Sequence, residues 1–347
     1  MTLTPDPRPL LAVTMGDITG IGPEIIIKAL VEPSLYDFCR PLVIGDLPAL
    51  VRARKVCGLK VDLHPVAAPN HGFFRPGTID ILVISRLAPE TVVYGRPTPA
   101  SGAAMVEYIM TAVDLAQSGQ AAAVVTAPIS KAAMHLGGYH YPGHTELLAE
   151  RCQTTDFAMM LAGGAFRVVL ATIHCPLRQV PDRLSTAALL RLFTLTAGAL
   201  ERDFGLYRPC LGVAALNPHA GEGGLFGDEE ARIIAPAVAA AREQGLDVVG
   251  PLPADTIFVR HQRGEFAAVV VMYHDQGLIP LKLLHFGDAV NVTLGLPIIR
   301  TSVDHGTAYD LAGTGQADPG SLKAALRLAA QMAQAQARSR EPMTKPK

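Results

Sequence analysis

AAVVVMYHDQG (267–277) is an unbroken apolar run that stops in a polar cluster headed by His274. A strand buried on both faces reads this way, and such strands belong to parallel sheets covered by helices. Two other segments repeat the pattern: VVLATIHCP (168–176) runs into His174, and GVAALNPHAGEGG (212–224) runs into His219. In open α/β sheets, ligands collect outside the carboxyl ends of the strands. Imidazole is the commonest protein ligand for a transition metal. Taken singly, each histidine is better read as a loop cap or a loop hydrogen-bonding group. The three together, with Asp275 and Asn217 beside them, favour one shared site.

Short apolar runs alternate with helix-period segments along the rest of the chain. LLAVTM (10–15), PLVIGD (41–46), IDILVIS (79–85), AAAVVTAP (121–128), FAMMLA, FRVVLAT, CLGVAAL and VNVTLG read as strands. GAAMVEYIMTAVDLAQ (102–117) puts Val106, Ile109, Met110 and Val113 on one helical face. The alternation predicts an α/β fold with crossover connections and a mostly parallel sheet. FAMMLAGGAFRVVLAT leaves no room for a helix and predicts a local antiparallel hairpin. A last helix follows ADPGS, with Ser321 as N-cap and Leu322, Ala325, Leu326, Ala329 and Met332 on one face. EPMTKPK (341–347) reads as a frayed polar end. No linker marks a domain boundary, as a discontinuous two-domain chain would have it.

Composition excludes several classes. Charged residues are 18% of the 347, so much of the chain must be buried, some of it at a subunit interface. With 30 basic and 31 acidic residues, no net field attracts nucleic acid or an anionic membrane. The five cysteines (Cys39, Cys57, Cys152, Cys175, Cys210) are scattered and form no CxxC pair, which argues against a disulfide framework or a zinc-thiolate site. Cys175, next to His174, reads as a small buried filler rather than a thiol at a metal. No signal peptide or membrane-length apolar stretch is read, and the expectation is a soluble cytoplasmic protein.

Other segments bear on chemistry. GDITGIGPE (16–24) follows a strand and opens a helix; it reads equally as an anion site at the helix N-terminus and as a tight structural turn. In PGHTELLAE (142–150), Thr145 stands where it could cap a helix and Glu146 suits the positive end of its dipole; His144 is not explained by capping. GPLPADT (250–256) brings Asp255 to the start of another helix, where an N-cap role is the simpler reading. The stretch 273–315 crowds His274, Asp275, Lys282, Asn291, Arg300, Asp304 and His305 into an apolar frame. Burying an unpaired charge is costly, so those cations need an anionic ligand or the nearby aspartates, and arginine is the better fork for phosphate or carboxylate.

GDxxGIGPE, PGHTE, NPHAGEGG, GPLPADT, YHDQG and VNVTLGLPIIRTSVDHGTAYDLAGTG, in this order, closely resemble the 4-hydroxythreonine-4-phosphate dehydrogenase family of pyridoxine (vitamin B6) biosynthesis. The family includes a branch acting on 4-phospho-threonate or 4-phospho-erythronate and another on a cyclic diol dicarboxylate. HGTAYDLAGTGQADPGS also resembles the nucleotide loop of isocitrate and isopropylmalate dehydrogenases. The resemblance implies their two-lobed α/β fold with a cleft. It implies a discontinuous nicotinamide-side lobe of residues 1–130 plus 290–347, and a metal, substrate and dimerisation lobe of residues 131–289. It makes His174, His219 and His274 ligands of one divalent metal (Zn, Mg, Mn or Co), one of them supplied by the second subunit of a homodimer. It places His144, Thr145, Lys282, Asn291 and Arg300 on substrate-binding positions, and His305, Gly306 and Asp310 at the adenine end of NAD (or NADP). His144, Asp255 and Asp275 are candidates for catalytic proton transfer or ligand orientation.

The implied reaction is oxidation of 4-phosphooxy-L-threonine to a 3-oxo acid that decarboxylates to 3-amino-2-oxopropyl phosphate. Neutral imidazole is needed for metal binding, so activity is expected to fall well below pH ~6.5. Two departures stand out: Ile18 and Thr19 replace the Pro-Ala common in the first motif, and His285 stands where members often have glycine. The alternatives are the threonate or erythronate phosphate substrates, a metal-dependent aldolase or lyase, and a non-catalytic phosphate sensor. The nucleotide loop counts against the lyase, and a sensor would not need three imidazoles.

Overall fold

The computed structural model describes residues 6–340, so the polar end 341–347 lies outside the described residues. The chain forms two compact units: the chain up to Thr155 together with Leu296–Gln334, and Asp156–Gly295 with the chain from Ala335.

The first unit carries strands β1 (Leu10–Thr14), β2 (Arg40–Asp46), β3 (Asp62–Val66), β4 (Thr78–Ser85), β5 (Ala123–Thr126) and β12 (Ile299–Val303), in the spatial order β3-β4-β2-β1-β5-β12. Every one of these pairings is parallel. β1, at the middle, is buried along its whole length, which is why it reads as a continuous apolar run. The helix Pro99–Gln117 buries Val106, Ile109 and Val113 as its periodicity predicts, while Met110 is half-buried. Leu322, Ala325, Leu326, Ala329 and Met332 of the helix Gly320–Arg340 are likewise buried.

The second unit carries β6 (Ala158–Gly163), β7 (Phe166–Leu170), β8 (Leu211–Ala214), β9 (Val248–Leu252), β10 (Ala268–Val271) and β11 (Val290–Leu294), in the order β11-β6-β7-β10-β8-β9. β6 pairs antiparallel with β7, giving the expected hairpin, and antiparallel with β11. β10 lies parallel between β7 and β8. Its core gathers Phe166, Val168, Leu170, Val269, Val271, Ile257, Leu278 and Leu281. The three strands that run into histidines are therefore adjacent and parallel, and their carboxyl ends fall on one edge.

Three local expectations need correction. The C-terminal helix opens at Gly320, one residue before Ser321, and the Ser321 hydroxyl instead accepts from the Asp304 amide at 3.1 Å. The helix His144–Arg151 has Gly143 at its N-cap with no side-chain bond, so Thr145 is buried in the first turn and does not cap. Cys175 is half-buried rather than a core filler.

Candidate functional site

The ends of β7 and β10 bring two of the three histidines together. Their imidazole centroids, His174 and His274, lie 5.5 Å apart with the rings inclined at 43°. His274 opens the helix His274–His285, and its Nδ1 donates to the Asp275 carboxylate at 2.7 Å. That bond fixes the tautomer and leaves Nε2 for a ligand, the usual way a metal-binding imidazole is oriented. The pair and its carboxylate suit a divalent ion.

His219 stands apart from this pair in the same chain. It is exposed, its Nδ1 donates to Glu222 at 3.3 Å, and its ring meets Phe226 edge-on. Among the described residues no three His, Cys, Asp or Glu side chains form a complete metal-binding group. His219 also begins an unusual turn: His219, Ala220, Gly221, Glu222 and Gly223 all have positive φ, a full left-handed turn of which three residues are not glycine. L-residues resist that conformation, so other groups must hold it. Glu230, buried, anchors the chain that leads into the turn: its carboxylate accepts from the amides of Leu216 and Asn217 at 2.8 and 2.7 Å and from Asn217 Nδ2 at 2.9 Å.

Lys282 lies half-buried on the helix that His274 opens. Asn291 lies on β11, its Oδ1 buried with no hydrogen-bond partner. Asp255 is exposed in the first turn of the helix Ala254–Gln262, whose N-cap is Pro253, so it is not the cap.

In the first unit, Arg300 on β12 is buried and donates from Nη2 to Thr126 Oγ1, at the end of β5, at 2.8 Å. Burial pulls its pKa down to about 9, which still leaves it charged at neutral pH. His144 Nε2 is buried without a hydrogen-bond partner. Burial, and then the Arg300 charge, hold the His144 pKa well below the ordinary imidazole value, so the ring is neutral. A neutral imidazole with an unmet nitrogen is placed to accept a hydrogen bond, while burial and Arg300 oppose its holding a proton.

His305, Gly306 and Asp310 lie on a loop whose shape is set by the GDITGIGPE segment. The Gly313 and Gly315 amides donate to the buried Glu24 carboxylate at 2.5 and 2.8 Å. The Tyr309 hydroxyl donates to Asp17 at 2.6 Å, and the Ile21 amide to Thr307 O at 3.1 Å. Gly20 lets the two backbones meet, since a Cβ there would lie 2.8 Å from Thr307 O. Two carboxylates fill this turn, so the tight-turn reading holds over the anion-site one. An acid inside the apolar helix PEIIIKAL was the signal for it.

A family model described as pyridoxal phosphate biosynthetic protein PdxA matches residues 37–329. The 4-hydroxythreonine-4-phosphate dehydrogenase of Desulforapulum autotrophicum is 53% identical over 325 residues, 94% of this chain and 96% of that one. The D-threonate 4-phosphate dehydrogenase of Cupriavidus necator is 46% identical over 330 residues, 94% and 98% of the two chains. The crystal structure of 4-hydroxythreonine-4-phosphate dehydrogenase from Klebsiella pneumoniae superposes with a TM-score of 0.89 at 45% identity, covering 95% of this chain and 100% of that one. Relatives that are dehydrogenases, matched over nearly the whole chain, make this α/β protein an oxidoreductase. Within that class, the chain belongs to the pyridoxal phosphate biosynthetic protein PdxA family.

Proposed function

We propose that the chain oxidises the secondary alcohol of 4-phosphooxy-L-threonine, giving a 3-oxo acid that loses CO₂ to leave 3-amino-2-oxopropyl phosphate. The observation that carries this reading is the His174–His274 pair, 5.5 Å apart at parallel strand ends, with Asp275 orienting one ring. His174 and His274 hold a divalent metal, completed by His219 from a second copy of the chain; the exposure of His219 supports this sharing. When bound, the metal supplies Lewis acidity at the substrate hydroxyl and NAD or NADP supplies the hydride acceptor.

His144, Thr145, Lys282, Asn291 and Arg300 bind the substrate. Arg300 offers a charged fork to an anionic group, and Lys282 a second cation. Neutral His144 accepts a hydrogen bond at Nε2 and relays the hydroxyl proton without holding it; Asp275 keeps His274 in place and Asp255 is the remaining candidate for proton transfer. His305, Gly306 and Asp310 receive the adenine end of the dinucleotide, on a loop shaped beforehand by Asp17 and Glu24. The unit containing β1 thus serves the nicotinamide side, and the unit containing β10 the metal side.

A homodimer fits the surface of the second unit. Ile279, Leu283 and Phe286 follow one face of the His274 helix and its end, at 67%, 83% and 83% exposure, and Leu225 and Phe226 are exposed beside the His219 turn. Apolar side chains gathered this way mark an interaction surface. Among the described residues no helix is long and apolar enough to cross a membrane; a cytoplasmic location is part of the proposal.

The second reading, D-threonate 4-phosphate or the erythronate analogue as substrate, is favoured by the Cupriavidus relative. The test is NAD reduction followed by absorbance with a panel of 4-phosphorylated threonine, threonate and erythronate isomers. The highest kcat/KM is expected for the threonine compound, with activity abolished by EDTA and restored by divalent metal. Equal rates with and without EDTA, or no NAD reduction with any member, overturn the proposal.

A further inference from the structure

Gln276 is a buried amide that the chemistry above does not use. It lies in the first turn of the His274–His285 helix, and both ends of its side chain are engaged. Its Oε1 accepts from the Met272 amide at 2.7 Å. Its Nε2 donates to Ala215 O at 2.6 Å. Met272 precedes Tyr273 and His274, so the first bond fixes the turn that launches His274. Ala215 follows directly on β8, immediately before Leu216 and Asn217, which Glu230 grips ahead of His219. One side chain therefore bonds the turn that carries His274 and the turn that leads to His219. The same turn is tied to β7, because Thr172 Oγ1 donates to Met272 O at 2.7 Å, two residues before His174.

A glutamine reaching back from the first helical turn can be simple N-terminal capping. Capping accounts for the bond to Met272, which is local. It does not account for the bond to Ala215, 61 residues away just past the end of β8. In the shared-site reading the two turns of one chain carry ligands to two different metals, so a buried amide joining them fixes the spacing of the two half-sites that each chain contributes, as outer groups orient ligands elsewhere.

We infer that Gln276 is a positioning residue for the metal: it sets where the His274 and His219 turns stand relative to one another in each chain. This rests on the metal reading above. The decisive variant is Gln276→Glu, since a carboxylate still accepts from Met272 and so keeps the helix start, but cannot donate to Ala215 when ionised. Gln276→Met removes both bonds while keeping the length of the side chain.

The experiment uses the full chain stripped of metal and titrated with Co²⁺, followed by calorimetry and by the visible spectrum of the bound ion. The unmodified protein and Gln276→Glu are compared at pH 8, with His274→Ala as the control for the site itself. Gln276→Glu is expected to bind Co²⁺ about 10- to 100-fold more weakly, with a changed visible band, a lowered metal-free melting temperature and native circular dichroism. Gln276→Met is expected to lose at least as much affinity.

Binding and spectrum unchanged in Gln276→Glu, with His274→Ala inactive in binding, make Gln276 a cap only and overturn the inference alone. No Co²⁺ uptake by the parent, or full uptake by His274→Ala, overturns the metal reading and the inference with it. Should both Gln276 variants fail to fold, the Gln276 side-chain amide resonances of the unmodified protein decide: they move on Zn²⁺ addition if the residue positions the ligands, and a fixed position overturns the inference.

Discussion

At the scale of single residues, three buried groups show how environment selects chemistry. Arg300 keeps its charge because its pKa falls only to about 9, while His144 near it is held neutral. Arg300→Lys keeps the charge but loses the planar fork. It is expected to lower kcat/KM for the phosphorylated substrate by roughly 10- to 100-fold, most of it in KM, read by steady-state kinetics on protein whose circular dichroism is unchanged. His261 illustrates a structural use of the same side chain. Its Nε2 accepts from the Arg167 amide at 2.9 Å and its Nδ1 donates to Phe266 O at 3.1 Å. Burial lowers its pKa from 6.5 to about 4. Above pH 6.5 both folded and unfolded chains hold it neutral. Between 6.5 and about 4 the unfolded chain takes up a proton that the folded one refuses, so stability falls as the pH falls; below about 4 the loss levels off. From this group, lowering the pH from 7.5 to 5 is expected to cost about 2 kcal/mol. Urea unfolding at the two pH values checks it: the loss shrinks by that amount in His261→Gln, and an equal loss in both proteins refutes the assignment.

At the scale of elements, legibility followed burial and locality. Buried parallel strands such as β1 and β10 announced themselves as apolar runs, and the hairpin of β6 and β7 by the shortness of its connection. β3 and β9 gave no such signal, because each lies at the end of its row, holds a proline and is only partly buried. The pairing of Glu24 with Gly313 and Gly315 was hidden for a different reason: the partners lie about 290 residues apart in sequence. The glycine-rich segment 217–227 was visible as a place where backbone must bend. It did not reveal that His219, Ala220 and Glu222 would adopt positive φ themselves, since glycine content marks where backbone can bend and not which neighbours bend with it. Ala220, at φ 55°, has no side-chain reason to be there. Ala220→Gly is expected to stabilise the protein by about 1 kcal/mol, measured by chemical denaturation, with Co²⁺ affinity unchanged. A neutral or negative change in stability would mean the turn stores no strain.

At the scale of the whole molecule, the proposal of a shared metal makes assembly and metal affinity one quantity. Leu283→Asp puts a charge on the exposed apolar face of the His274 helix without touching the core, as Leu283 is 83% exposed. Sedimentation equilibrium is expected to find the parent dimeric and this variant shifted to monomer. Co²⁺ affinity should fall with it and recover as protein concentration rises. A variant that is monomeric yet binds Co²⁺ as the parent does would show that each chain builds its site alone.

The route of the backbone has a consequence for synthesis. β5 is made early, yet the strand that covers its far side, β12, is laid down only after Asp156–Gly295, which holds every strand of the second unit, has been translated. On the ribosome the first unit therefore waits with a bare, apolar strand margin, the kind of surface on which nascent chains stick to one another. The second unit has no such delay for its strands and is free to mature while its companion is still unfinished. Chaperone demand during production should accordingly concentrate on the interval before residue 303 leaves the exit tunnel.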